Sequence, residues 1–162
     1  PYIDEYPNLI ICRTFSKFFA LAGFRIGFAF AGKNLDVLIN FTTRYLGYNR
    51  VSEKLGEIAL DNIKWYLKVG KQYEKDKEMM YKTFLGLKGF VPFRSFANFM
   101  LVDIPVEIRP GLKKYLDERN LRIKFLDEDA FRTEARISLG TKEDNRLLMD
   151  TIVKYCKEIN WK

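Results

Sequence analysis

Residues 14–27, Thr-Phe-Ser-Lys-Phe-Phe-Ala-Leu-Ala-Gly-Phe-Arg-Ile-Gly, constrain this chain more than any other stretch. Lys17 follows two hydroxyl residues in an otherwise apolar run, and Arg25 stands alone eight residues later between Gly23 and Gly27. A buried charge without a partner costs several kcal/mol. The two cations therefore need carboxylates elsewhere in the chain, or something anionic that also reacts with an amine.

A lysine reacts as an amine when it is neutral, and burial among Phe15, Phe18, Phe19 and Leu21 would favour that form. Such a lysine forms imines with carbonyl compounds. Thr14 and Ser16 supply hydroxyl donors, and Arg25 a planar fork of N–H donors suited to a phosphate dianion. Gly23 and Gly27 let backbone approach closely. An aldehyde carrying a phosphate fits these groups jointly, and pyridoxal phosphate is the biological case. Spacing alone leaves the other reading open, a buried Lys and Arg paired with distant carboxylates.

Hydrophobic patterning places this stretch between two strands. Residues 9–15 are nearly continuous in apolar side chains, the pattern of a parallel strand covered on both faces, and residues 25–31 read as a second strand. Residues 1–8 read as a polar turn. Residues 35–44 read as a helix with Leu38 and Phe41 inward. A long helical stretch covers 51–85, weakened at Gly56 and Gly70, where it bends or divides. Strands are expected over 97–103, 121–126 and 135–139. Pro110 opens a helix that ends near a left-handed Asn120. Thr141 and Asp144 form a capping box for the last helix, with Leu148, Ile152, Tyr155 and Ile159 on its apolar face. The organisation expected is α/β, with units at 1–50, 51–87 as a connecting helical segment, and 88–162.

Composition removes several chemistries. The chain's 162 residues contain no histidine, and its two cysteines, Cys12 and Cys156, stand far apart. Cys/His zinc sites and His-dependent nucleophile pairs are thereby excluded, and no metal site is expected. The net charge of +7 is spread through amphipathic segments without a dense basic cluster, against a nucleic-acid partner. No apolar run reaches membrane-span length and no signal-peptide pattern opens the chain, so a reduced, cytoplasmic protein is expected. The start at Pro1, entering a strand almost at once, reads as the middle of something larger.

The run Arg13-Thr-Phe-Ser-Lys-Phe-Phe-Ala-Leu-Ala-Gly-Phe-Arg-Ile-Gly27 closely resembles the lysine motif of fold-type-I pyridoxal-phosphate aminotransferases of class I/II. It is most similar to the histidinol-phosphate aminotransferase branch, R-T-x-S-K-x-x-x-L-A-G-x-R-x-G. Weaker likenesses continue at Ser95-Phe-Ala-Asn-Phe99 and at Ala135-Arg-Ile-Ser-Leu-Gly-Thr-Lys-Glu-Asp-Asn145. The resemblance implies an α/β fold made of the end of the large-domain sheet plus the small C-terminal domain. It implies Lys17 as the Schiff-base and proton-transfer residue, Thr14, Ser16 and Arg25 on the cofactor phosphate, and Arg136 on the substrate α-carboxylate. Asn98 orders its strand start. A homodimer with shared sites, acting on amino and oxo acids, is implied likewise.

Two departures bear on substrate. Ile3-Asp4-Glu5-Tyr6 imitates the family's D-x-A/G-Y motif for the pyridine nitrogen. Asp4 is rejected, because too few residues separate it from residues 9–15 for the parallel crossover that the family's strand order requires. The pyridine partner is then expected before Pro1, and the isolated chain is expected to bind cofactor weakly without turnover. Where the branch places a phosphate-binding Arg, this chain has Lys124, which binds phosphate as a point charge without the bidentate fork. Amino transfer to a 2-oxo acid or phosphorylated ketone is the expected reaction. The alternatives are a threonine-phosphate decarboxylase-like enzyme of the same fold and a non-catalytic remnant.

Overall fold

The computed structural model describes residues 2–41, 49–127 and 133–161. The chain forms two compact units, Pro1–Lys68 and Val69–Lys162.

In the first unit, α1 (Tyr2–Glu5) is a single turn where sequence suggests only a polar turn. Strands β1 (Ile10–Thr14) and β2 (Gly27–Ala31) then pair antiparallel, Ile10 opposite Ala31 and Thr14 opposite Gly27. This corrects the expectation of a parallel strand covered on both faces. Every residue of β2 is exposed and β1 is nearly so, with Phe30 at 55%. The two strands are joined by the loop from Phe15 to Ile26, and only the loop end is covered.

A 3-10 segment, Lys33–Phe41, occupies part of the helix expected over 35–44. Leu38 is exposed there and does not turn inward. The inward placement expected of Phe41, and residues 42–44, lie outside what is described. The long helical stretch divides into α2 (Arg50–Asp61) and α3 (Ile63–Leu85). It breaks at Asn62, at neither glycine: Asn62 leaves helical geometry, and its Nδ2 donates to the Ile58 carbonyl at 2.8 Å. An asparagine that caps its own helix competes with continuation. At the other end of α2, Asn49 caps the free N–H groups of Val51 and Ser52.

The second unit is a four-stranded antiparallel sheet, order β3-β4-β6-β5, with helices packed on one face. Its strands are β3 (Val91–Pro92), β4 (Phe99–Asp103), β5 (Lys124–Phe125) and β6 (Glu134–Ser138). Met100 and Val102 of β4, with Ala135 and Ile137 of β6, alternate into the core. There they meet Met80 and Phe84 of α3, Leu112 and Leu116 of α4 (Arg109–Asp117), and Leu148 and Ile152 of α5 (Lys142–Glu158). Asn120 is left-handed, φ 57°, and the Leu121 N–H closes the end of α4 on the Leu116 carbonyl. Ile159 of the expected apolar face is exposed beyond the end of α5.

The capping box is present: the Thr141 hydroxyl accepts from Asp144 N, and Asp144 accepts from Thr141 N at 3.2 Å. Hydrogen bonds from the Thr141 side chain and backbone hold the Asp144 carboxyl below its ordinary 3.8. A depressed carboxyl pKa contributes stability above the ordinary value, lost as pH falls through the folded value. The stability difference between the protein and Asp144→Asn is therefore expected to be constant above about pH 5 and to shrink below the ordinary carboxyl range, read by thermal unfolding across pH.

Candidate functional site

The lysine loop is built on alternate burial. Phe15 and Phe19, four residues apart, are buried with ring centroids 4.8 Å apart, while Lys17, midway between them, is exposed. The segment is bent rather than helical, with Ala20 N closing a turn on the Lys17 carbonyl at 3.0 Å and Leu21 N donating to the Phe15 carbonyl at 3.0 Å. The two rings pack with Ala59, Leu21, Ile26 and Tyr66, and burying two such rings stabilises the loop by roughly 3–6 kcal/mol. Against them α2 presents the small residues Ser52, Gly56 and Ala59. A Cβ on Gly56 would lie 3.3 Å from the Ile26 side chain and 3.6 Å from the Phe15 ring.

The hydroxyls sit at the mouth of this loop. Thr14 Oγ1 donates to Ser16 Oγ at 2.9 Å and accepts from Ser16 N at 3.0 Å, closing a short turn. The Phe15 N–H donates to the Ile26 carbonyl at 3.2 Å, so Ser16 and Arg25 flank that bond on the loop side. Gly27, opposite Thr14, leaves no room for a side chain, since a Cβ would stand 2.7 Å from the Arg13 carbonyl. Arg25 itself has left-handed backbone, φ 51°, a strain of roughly 1 kcal/mol for a non-glycine residue. Its Nη1 donates to the Ala22 carbonyl at 3.1 Å.

Thr14, Ser16 and Arg25 are thus at one end of one hairpin, with Lys17 next in the loop. The buried lysine expected from the phenylalanines is corrected: the rings turn inward and leave the ammonium in solvent. Neither Lys17 nor Arg25 pairs with a carboxylate among the described residues. Two hydroxyls, an exposed guanidinium and an amine form a donor set without an acceptor anion, which fits a phosphate ester carrying an electrophile. Asp4 lies on α1, outside this loop.

Arg136 and Lys124 lie in the second unit. They are directly opposite each other on β6 and β5, both exposed on the face away from the core. Residues directly opposite in an antiparallel pair project to the same face. The Arg136 guanidinium carbon lies 5.7 Å from the Phe99 ring centroid. Asn98 orders its strand through its backbone carbonyl, which accepts from Leu139 N at 3.0 Å.

Register adds residues that patterning does not single out. Phe93 N donates to the Leu101 carbonyl at 2.9 Å, and Leu101 is opposite Arg136. A row Leu101–Arg136–Lys124 therefore crosses β4, β6 and β5, with Phe93, one residue past β3, beside Leu101. Among the described residues no group of three or more Cys, Asp or Glu is placed to hold a metal ion, and no helix is long and apolar enough to cross a membrane.

Residues 1–152 match the family model for aminotransferase class I and II. A histidinol-phosphate aminotransferase of Syntrophus aciditrophicus is 29% identical over 93% of this chain and 42% of its own length. A putative aminotransferase from Burkholderia pseudomallei superposes with a TM-score of 0.77 at 26% identity, over 90% of this chain and 44% of that one. The histidinol-phosphate aminotransferase of Sinorhizobium meliloti, solved with pyridoxal-5'-phosphate, gives 0.75 at 21% identity, covering 96% and 43%. The L-threonine-O-3-phosphate decarboxylase of Porphyromonas gingivalis gives 0.73 at 22%, covering 96% and 49%. The fold is that of fold-type-I aminotransferases, and the chain spans about two fifths of the length of the curated relatives it matches. It belongs to the class I and II aminotransferases.

Proposed function

We propose that this chain supplies the cofactor-bearing lysine and the substrate-carboxylate arginine of a pyridoxal-phosphate-dependent aminotransferase similar to the histidinol-phosphate branch. The observation that carries the reading is the hairpin loop, which presents Lys17 beside the joined hydroxyls of Thr14 and Ser16, with Arg25 across the same end. Pyridoxal phosphate, when bound, supplies the aldehyde and the electron-withdrawing ring for the chemistry.

The chain's own groups have separate tasks. Thr14, Ser16 and Arg25 hold the phosphate, the guanidinium by its paired N–H donors. Lys17 Nζ is the amine that holds the cofactor and, when released, takes and returns the proton of the substrate α-carbon. Arg136 anchors the α-carboxylate of the amino or oxo acid, fixing which bond faces the chemistry. Lys124 is the residue that receives a second anionic group on the substrate. A homodimer is carried from the family resemblance, and light scattering tests it.

The phosphate role is tested by titrating the chain with pyridoxal phosphate and with pyridoxal, following the absorbance change of imine formation. Charge-assisted hydrogen bonds are worth roughly 1.5–3 kcal/mol each, so pyridoxal is expected to bind at least about tenfold more weakly. Arg25→Gln is expected to remove most of that difference. Equal affinity for the two aldehydes would refute the phosphate site.

A further inference from the structure

The chain entering β4 and the chain leaving β6 are gripped by consecutive residues of α3. Phe99 and Ser138 face each other at one end of the β4–β6 ladder, and the Asn98 carbonyl accepts from Leu139 N at 3.0 Å just beyond them. Asp76 holds the departing chain, through Asn145 to the Gly140 N–H and carbonyl. Lys77 holds the arriving chain, its ammonium donating to the Ser95 carbonyl at 3.1 Å. Ser95 in turn donates through Oγ to the Phe99 carbonyl and accepts from Ala97 N at 3.1 Å.

Phe99 carries this hold to the open face of the sheet. Leu101 is opposite Arg136, so Phe99, two residues earlier on β4, is the diagonal neighbour of Arg136 on the same face. The Arg136 guanidinium carbon lies 5.7 Å from its ring centroid, within the range at which an aromatic face attracts a cation.

Lys77 is an expensive way to fill its place. It is 6% exposed, and taking an ammonium out of water is costly even when it is paired. Its carboxylate partner Glu74, at 2.7 Å, is 71% exposed, so half of that pair stays in water. An apolar side chain of similar length would serve packing at least as well. It could not hold the Ser95 carbonyl.

We propose that Lys77 is a positioning residue for Arg136, fixing through Ser95 and Phe99 the direction in which the guanidinium meets a carboxylate. The inference rests on the reading of Arg136 as the α-carboxylate residue. Because α3 packs on the covered face of the sheet, Lys77 acts on Arg136 only through the strand between them.

The test follows the Arg136 Nε–H signal of the full chain by NMR, assigned by its loss in Arg136→Lys, during titration with pyruvate. The signal is expected to move with pyruvate in the parent protein. Lys77→Met is expected to shift the free signal, as the Phe99 ring moves relative to the guanidinium, and to weaken pyruvate about fivefold. Lys77→Arg keeps a donor at the same place and is expected to restore both. Ser95→Ala, at a half-buried loop position, is expected to repeat the effect of Lys77→Met and carries the prediction if that variant does not fold. An unchanged Arg136 signal and unchanged pyruvate affinity in Lys77→Met and Ser95→Ala, whatever their stability, would overturn the positioning role and leave the α-carboxylate reading standing. An Arg136 signal that ignores pyruvate in the parent protein would refute that reading and the proposal with it.

Discussion

Replacing Asn145 with alanine is expected to lower the unfolding free energy by about 3 kcal/mol in urea titrations. Asn145, 2% exposed at the start of α5, accepts from Gly140 N at 2.9 Å through Oδ1. Its Nδ2 donates to Asp76 Oδ2 at 3.0 Å and to the Gly140 carbonyl at 3.3 Å. Asp76 is itself buried in α3, its other oxygen held by Gln72 at 2.7 Å. Truncation therefore leaves the partly buried Gly140 N–H without this acceptor and a buried carboxylate oxygen of Asp76 without this donor. Asn145→Asp is expected to be worse than alanine, because it sets a second carboxylate against Asp76. An alanine variant within about 0.5 kcal/mol of the parent protein would show that the cluster is not holding α3 to the start of α5.

Lys17→Arg is expected to abolish covalent capture of pyridoxal phosphate while changing stability by less than about 0.5 kcal/mol. The two halves of that expectation have different sources. Covalent capture needs a neutral amine, which a guanidinium does not provide near neutrality. Stability is unaffected because Phe15 and Phe19, not Lys17, fasten the loop to α2, and Lys17 is exposed without a carboxylate partner among the described residues. Capture is read by borohydride reduction and intact mass, stability by thermal unfolding. Capture that persists in Lys17→Arg would place the reactive amine elsewhere.

The nearness of the candidate groups in the first unit was legible because they lie in one contiguous run. Thr14, Ser16, Lys17 and Arg25 occupy a single hairpin end, so spacing along the chain is nearly spacing in space. The capping box at Thr141 and the left-handed Asn120 were legible for the same reason, being set by residues within a turn of each other. The orientation of Lys17 was not, because an apolar run does not say which side chains turn inward. Phe15 and Phe19 took the inner side together because they pack on each other and on Ala59 of α2. The pairing of β1 depended on a partner beyond the loop, and an unbroken apolar run mimics a doubly covered strand even when its faces are open. The helix break fell at Asn62, whose side chain satisfied the Ile58 carbonyl, a local competition that glycine counting overlooks. The row from Phe93, just past β3, to Lys124 joins residues far apart in sequence, and only register brings it together.

The most direct test of Lys17 as the cofactor-bearing residue is to add equimolar pyridoxal phosphate to the chain, reduce with borohydride, digest, and map the adduct by mass spectrometry. The expected result is a single modified peptide carrying the label on Lys17, with yield falling as inorganic phosphate is added. Label spread over the exposed lysines of α2, α3 and α5, or concentrated on any lysine other than Lys17, would contradict it.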